Sequence, residues 1–112
     1  MRLDAYTIVL LRRPKDAPKL TEAEVEALQR EHVAFNARMR AEGKALVSGP
    51  FDEQPDKSWR GISIFRTSLE QTRALVAGDP SIRAGWLEAD VFTWLMPEGS
   101  LGDQPAATIE ED

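Results

Sequence analysis

A chain of 112 residues without a cysteine fits one small domain and excludes disulfides, thiolate nucleophiles and thiolate-held metals. Its 42% hydrophobic and 29% charged residues are the balance of a globular protein. The formal charge of -5 is confined to the end: of nineteen Asp and Glu, five (Glu98, Asp103, Glu110, Glu111, Asp112) follow Pro97, where there is no Lys or Arg, and residues 1–97 are formally neutral. A neutral body has no electrostatic footprint for nucleic acid, so no nucleic-acid partner is expected.

The first apolar stretch, Thr7 to Leu11, is far too short to span a membrane. It also lacks the longer apolar region and small-residue cleavage site of a secretory signal. A cytoplasmic protein with no membrane partner is expected, and the missing cysteines agree with a reducing compartment. Tyr6 to Arg12 alternates Tyr6, Ile8 and Leu10 on one face with Val9 and Leu11 on the other, the pattern of a central strand covered on both sides. Pro14, Asp16 and Pro18 break it into a loop.

Thr21-Glu22-Ala23-Glu24 is a capping box, in which hydroxyl and carboxylate each satisfy an orphan backbone donor of the other residue. The helix it opens is expected to run to about Glu42 and stop at Gly43. Val25, Leu28, Phe35 and Met39 form one apolar stripe whose gap falls at His32, which places the histidine toward the core. Lys44 to Val47 predicts a second strand ended by Ser48-Gly49-Pro50-Phe51, and a polar loop from Asp52 to Ser58 leads to a third, Trp59 to Arg66. Ser68-Leu69-Glu70-Gln71 is a second capping box, for a helix burying Leu69, Leu75 and Val76. Asp79-Pro80 caps a short turn closed by Gly85, and Trp86 to Met96 is the last strand, ended by Pro97. The remainder, residues 98–112, is expected to be a disordered acidic tail.

The order β, α, β, β, α, β gives an α+β fold: a four-stranded antiparallel sheet with two helices on one face. The uncovered face would leave apolar side chains wet, so a homodimer formed through the sheet is expected.

At this point several segments together resemble one family. They are the strand ending Leu-Leu-Arg-Arg-Pro, the helix carrying His32, Gly-Lys-Ala-Leu-Val-Ser-Gly-Pro-Phe, Arg-Gly-Ile-Ser-Ile-Phe and Asp-Pro-Ser-Ile-Arg-Ala-Gly. In order and spacing, over about residues 5 to 97, they resemble the YciI-like (YCII-related) family. The resemblance implies a ferredoxin-like βαββαβ domain that pairs into a dimeric α+β barrel, and a catalytic histidine and aspartate that fall by motif on His32 and Asp79. Among its few members of known reaction is a dehydrochlorinase acting on a chlorinated aromatic; muconolactone isomerases share the general architecture. Many members carry an aromatic residue after the Asp-Pro, where this chain has Ser81.

The residues themselves allow two readings of each position. An imidazole titrates near neutrality and suits acid–base work, whereas a lone histidine on an apolar helix face also fits a satisfied core residue. Asp79 serves as a helix cap, as a group orienting His32, or as both. Ser48, Gly49 and Pro50 form either a pocket wall or a plain turn, and Arg12, Arg13 and Arg66 either hold an anionic substrate or lie at a solvated rim. The three tryptophans suit packing in the core or at the dimer face. No spacing resembles a metal site, a phosphate loop, a dinucleotide fingerprint or a hydrolase serine elbow, so no cofactor is expected. The expected function is a cofactor-free lyase or isomerase with the His32–Asp79 pair as catalytic residues and Ser48, Gly49, Pro50 and Arg12 against the substrate. A non-catalytic small-molecule-binding or accessory module, suggested by Ser81, is the alternative.

Overall fold

A computed structural model describes residues 1–102 and 105–111. Its centre is β1 (Arg2–Arg12), buried along nearly its whole length with paired strands on both of its edges. On one edge β4 (Glu88–Pro97) runs antiparallel beside it from Leu3 to Arg12. On the other, β3 (Trp59–Phe65) pairs with residues 7–12, and β2 (Ala45–Pro50) lies outside β3. The strand order β2-β3-β1-β4, all antiparallel, is that of a ferredoxin-like α+β fold.

The helices follow their caps. Thr21 accepts from the Glu24 backbone N–H at 3.2 Å while Glu24 accepts from the Thr21 N–H at 3.0 Å, opening α1 (Glu22–Ala41). Gly43, at φ 75°, turns the chain from α1 toward β2. Ser68 and Gln71 make the same reciprocal pair at the start of α2 (Leu69–Val76). Asp79 and Pro80 start α3 (Pro80–Arg83), a single turn. Phe35 and Met39 of α1 and Val76 of α2 pack on Val9, Leu11, Ala45 and Phe65, so one sheet face carries both long helices and the core.

The opposite face holds Tyr6 and Ile8, both buried, and their cross-strand neighbours Ile64, Phe92 and Trp94. Phe92 and Trp94 are 46% and 49% exposed and Val47, paired with Ile64, 53%. Among the described residues, these three side chains form an exposed apolar surface on that face.

Three expectations need correction. The acidic segment is not wholly outside the fold: Ala107–Glu110 forms β5, antiparallel to residues 2–5 of β1. The physical reason is the edge of β1 that β3 leaves open, whose backbone groups take a partner wherever one reaches them. Asp4, 3% exposed, ties the segment down by accepting from Gly99 N and Thr108 Oγ1, each at 2.8 Å. Asp103 and Asp112 lie outside the described residues. Second, Ser48, Gly49 and Pro50 are still strand, paired with Ser63, Ile62 and Gly61, and proline is tolerated there because β2 is an edge strand. Third, Trp86 and Leu87 precede β4; their N–H groups donate to the Ser81 carbonyl and close α3 against the sheet.

Candidate active site

α1 and α3 meet at one polar spot inside an otherwise apolar contact. His32, at the gap in the α1 stripe, is 9% exposed and Asp79, the α3 cap, 2%. Buried polar groups at such positions need partners. His32 Nδ1 lies 2.7 Å from Asp79 Oδ2. The other carboxylate oxygen accepts from the Ser81 backbone N–H at 2.9 Å and from the Ser81 hydroxyl at 2.8 Å. Ser81 is fully buried, and its Oγ is also 3.2 Å from His32 Nδ1.

An ionised carboxylate only accepts, so the Nδ1 facing it carries the hydrogen and the neutral ring keeps its lone pair at Nε2. Asn36, one helical turn on from His32, brings Nδ2 to 3.3 Å from that Nε2, the long end of a hydrogen bond. His32 and Asn36 form part of the wall of a cavity of about 290 Å³ between α1 and the β2–β3–β1 sheet. The arrangement presents one imidazole nitrogen to a ligand-sized space and anchors the other on a buried carboxylate.

Ser48, Gly49 and Pro50 line the same cavity, opposite α1. Gly61 lies beside them because β2 and β3 approach closely: a Cβ at Gly61 would sit 2.8 Å from the Gly49 carbonyl oxygen. Arg12 is not brought to the site. Its guanidinium is paired across the β1–β4 ladder with Glu88 at 3.3 Å and Asp90 at 2.9 Å, and the Asp90 hydrogen bond holds its pKa above the ordinary value. Its neighbour Arg13 lines the cavity instead, donating from Nε to the Trp86 carbonyl at 2.8 Å with the guanidinium carbon 4.0 Å from the centre of the Trp86 ring. Arg66 donates to the Gly43 carbonyl and is not among the lining residues.

Residues that sequence reasoning passed over are Asn36, Arg40, Arg60 and the positive contribution of Ser81. A signal existed for two of them: Asn36 and Arg40 stand four and eight residues after His32, on the same helical stripe. Among the described residues no group of three His, Cys, Asp or Glu side chains is placed to hold a metal ion, and no helix is long and apolar enough to cross a membrane.

Comparison with known proteins bears on family and fold. The model of the YCII-related domain matches residues 6–95. A solved structure, 5-chloro-2-hydroxyhydroquinone dehydrochlorinase (TftG) from Burkholderia phenoliruptrix AC1100 in complex with 2,5-dihydroxybenzoquinone, superposes with a TM-score of 0.56. At 18% identity the match covers 80% of this chain and 92% of that one, a likeness of fold. No match is found among curated proteins.

Proposed function

The chain belongs to the YCII-related domain family, and from that membership we propose that it is an acid–base enzyme of the lyase or isomerase type, acting on a small molecule without a cofactor. The observation that carries the reading is the 2.7 Å contact between His32 Nδ1 and buried Asp79 beside a cavity that His32 helps to line. Nε2 takes a proton from a carbon made acidic by an adjacent carbonyl or enol. Asp79 stabilises the imidazolium that results and keeps the ring in its working orientation. The electron pair left on the substrate then either expels a leaving group, an elimination, or is reprotonated by His32 at another carbon, an isomerisation. Ser81 and Asn36 position the two catalytic groups. Because Ser81 is bonded to Asp79, it favours this reading over that of a ligand-binding module. The similar solved structure, a dehydrochlorinase holding a quinone, is in keeping with small-molecule chemistry on this fold.

A second copy of the chain is the proposed cover for the open sheet face around Phe92, Trp94 and Val47, since a soluble domain rarely leaves such a patch wet. The cysteine-free composition supports a cytoplasmic setting.

The test is exchange of carbon-bound hydrogen in D₂O over a panel of small ketones, enols and halogenated ring compounds. Wild type is expected to wash deuterium into at least one. His32→Ala, folded by circular dichroism, is expected to be inert toward it. Equal exchange by the folded variant would remove His32 as the base.

A further inference from the structure

The charged residues lining the cavity are three arginines from three different elements: Arg13 at the end of β1, Arg40 on α1 and Arg60 at the start of β3. No Asp or Glu is among the described lining residues, since Asp79 stands behind His32. In a body whose acidic and basic side chains balance, this local excess is not a reflection of overall charge. Other arginines near carboxylates are paired with them: Arg2 with Glu98, Arg12 with Glu88 and Asp90, and Arg38 with Glu42. Among the described residues, Arg13, Arg40 and Arg60 have no such pair.

Two of the three also face each other's charge. Burial and the nearby Arg60 push the Arg13 guanidinium below its ordinary pKa. Like charges drawn together at a cavity without a counter-charge are relieved by an anion between them, and guanidinium groups bind carboxylates in a planar fork. Arg13 is held for the task, since Trp86 supports it from below through its ring and its carbonyl. Arg40 is fixed likewise by donating to Ser48 Oγ. The remaining walls mix apolar side chains, Leu11, Val33, Ile62 and Leu87, with uncharged polar ones such as Gln29 and Ser63.

We infer that this cavity binds a small organic anion, its carboxylate or equivalent acidic group held by Arg13, Arg40 and Arg60 and its apolar body turned toward His32. About 290 Å³ is near the lower end of ligand pockets, about 300–1,000 Å³, which suits one substituted ring or a short chain. The inference rests on the acid–base reading only in taking the ligand of this cavity to be the substrate. It also explains how a carbon acid would be oriented, with the charge at the arginines and the reacting carbon at Nε2.

The experiment is calorimetric titration of the full chain with benzoate and with benzamide, its neutral isostere, at low and at moderate salt. Benzoate is expected to bind at least about tenfold more tightly than benzamide, the scale of one charge-assisted hydrogen bond. That preference is expected to shrink as salt rises. Arg60→Gln combined with Arg40→Gln is expected to weaken benzoate about tenfold or more while leaving benzamide where it was. Benzamide binding as well as benzoate, or benzoate binding untouched in the double variant, would overturn the inference. Because the titration needs no turnover, the two proposals separate. Benzoate selectivity without deuterium exchange on any compound would uphold the anion site and sink the acid–base reading. Exchange confined to neutral compounds, with benzoate unbound, would do the reverse.

Discussion

Replacing Asp79 by alanine removes one buried side chain with three hydrogen-bonding duties, and the cost of each can be worked out separately. The Ser81 N–H loses its helix cap, worth about 1 kcal/mol. His32 Nδ1 and the Ser81 hydroxyl lose a carboxylate in a place water does not reach, and one unsatisfied buried group costs about 1–3 kcal/mol. They do not both go wanting, because Ser81 Oγ is already 3.2 Å from Nδ1 and can accept from it. The sum is about 2–4 kcal/mol, a large part of the roughly 5–15 kcal/mol that holds a domain together. Asp79→Asn should behave differently. Asparagine caps as well as aspartate and keeps one acceptor oxygen for Ser81, so its stability cost should be about 1 kcal/mol or less. Its amide can face Nδ1 with a donor, however, which drives the ring to the other tautomer and puts the hydrogen on Nε2. Urea unfolding followed by tryptophan fluorescence, at one fixed protein concentration, gives both stabilities by linear extrapolation. Alanine and asparagine variants of equal stability, or an alanine variant within about 0.5 kcal/mol of wild type, would refute the account of Asp79 as the buried pivot. An asparagine variant that retained full proton-exchange activity would refute its role in setting the tautomer.

Other expectations follow from the packing. Deleting residues 105–112 strips β5 from β1 and removes the Thr108 bond to buried Asp4. The melting temperature should fall by several degrees, about 2–8 °C for each kcal/mol lost, and amide exchange near residues 2–5 should rise; an unchanged melting curve would return the segment to a dispensable tail. Gly61→Ala places a Cβ against the Gly49 carbonyl, so it should destabilise by about 1–3 kcal/mol in thermal melts; a neutral result would mean that β2 can move away freely. Phe92→Glu with Trp94→Glu puts two charges on the open sheet face. Sedimentation should then find a monomer where wild type is a dimer, and a wild-type monomer would dispose of the proposed interface.

What the sequence made legible, and what it hid, divides by the range of the interactions. Both capping boxes are local, four residues each, and both form as their residue types require. The gap in the α1 stripe at His32 is likewise a property of one helix, and the histidine lies on the buried side. Which of two adjacent arginines reaches the cavity is a matter of strand parity. Arg12 and Arg13 leave β1 on opposite sides, and a register irregularity between Leu11 and Arg12 changes the ladder at that point. Residue types cannot reveal that. Four residues, Ala107 to Glu110, are too short a run to be a strand signal in isolation; they become a strand because another, more than a hundred residues earlier, has an edge to offer. Ser81 was conspicuous as a departure from a family pattern, and only the fold places its hydroxyl on Asp79.

The single histidine allows the central claim to be read from one pair of signals. In untagged, uniformly ¹⁵N-labelled protein, a long-range ¹H–¹⁵N spectrum at a pH where the ring is neutral shows which nitrogen of His32 carries hydrogen, because the bare nitrogen resonates far downfield of the protonated one. Hydrogen on Nδ1 with Nε2 bare, reversing in Asp79→Asn, is the result the account predicts. Hydrogen on Nε2 in the wild type would contradict it, since the nitrogen offered to the cavity would then have no lone pair with which to take a proton.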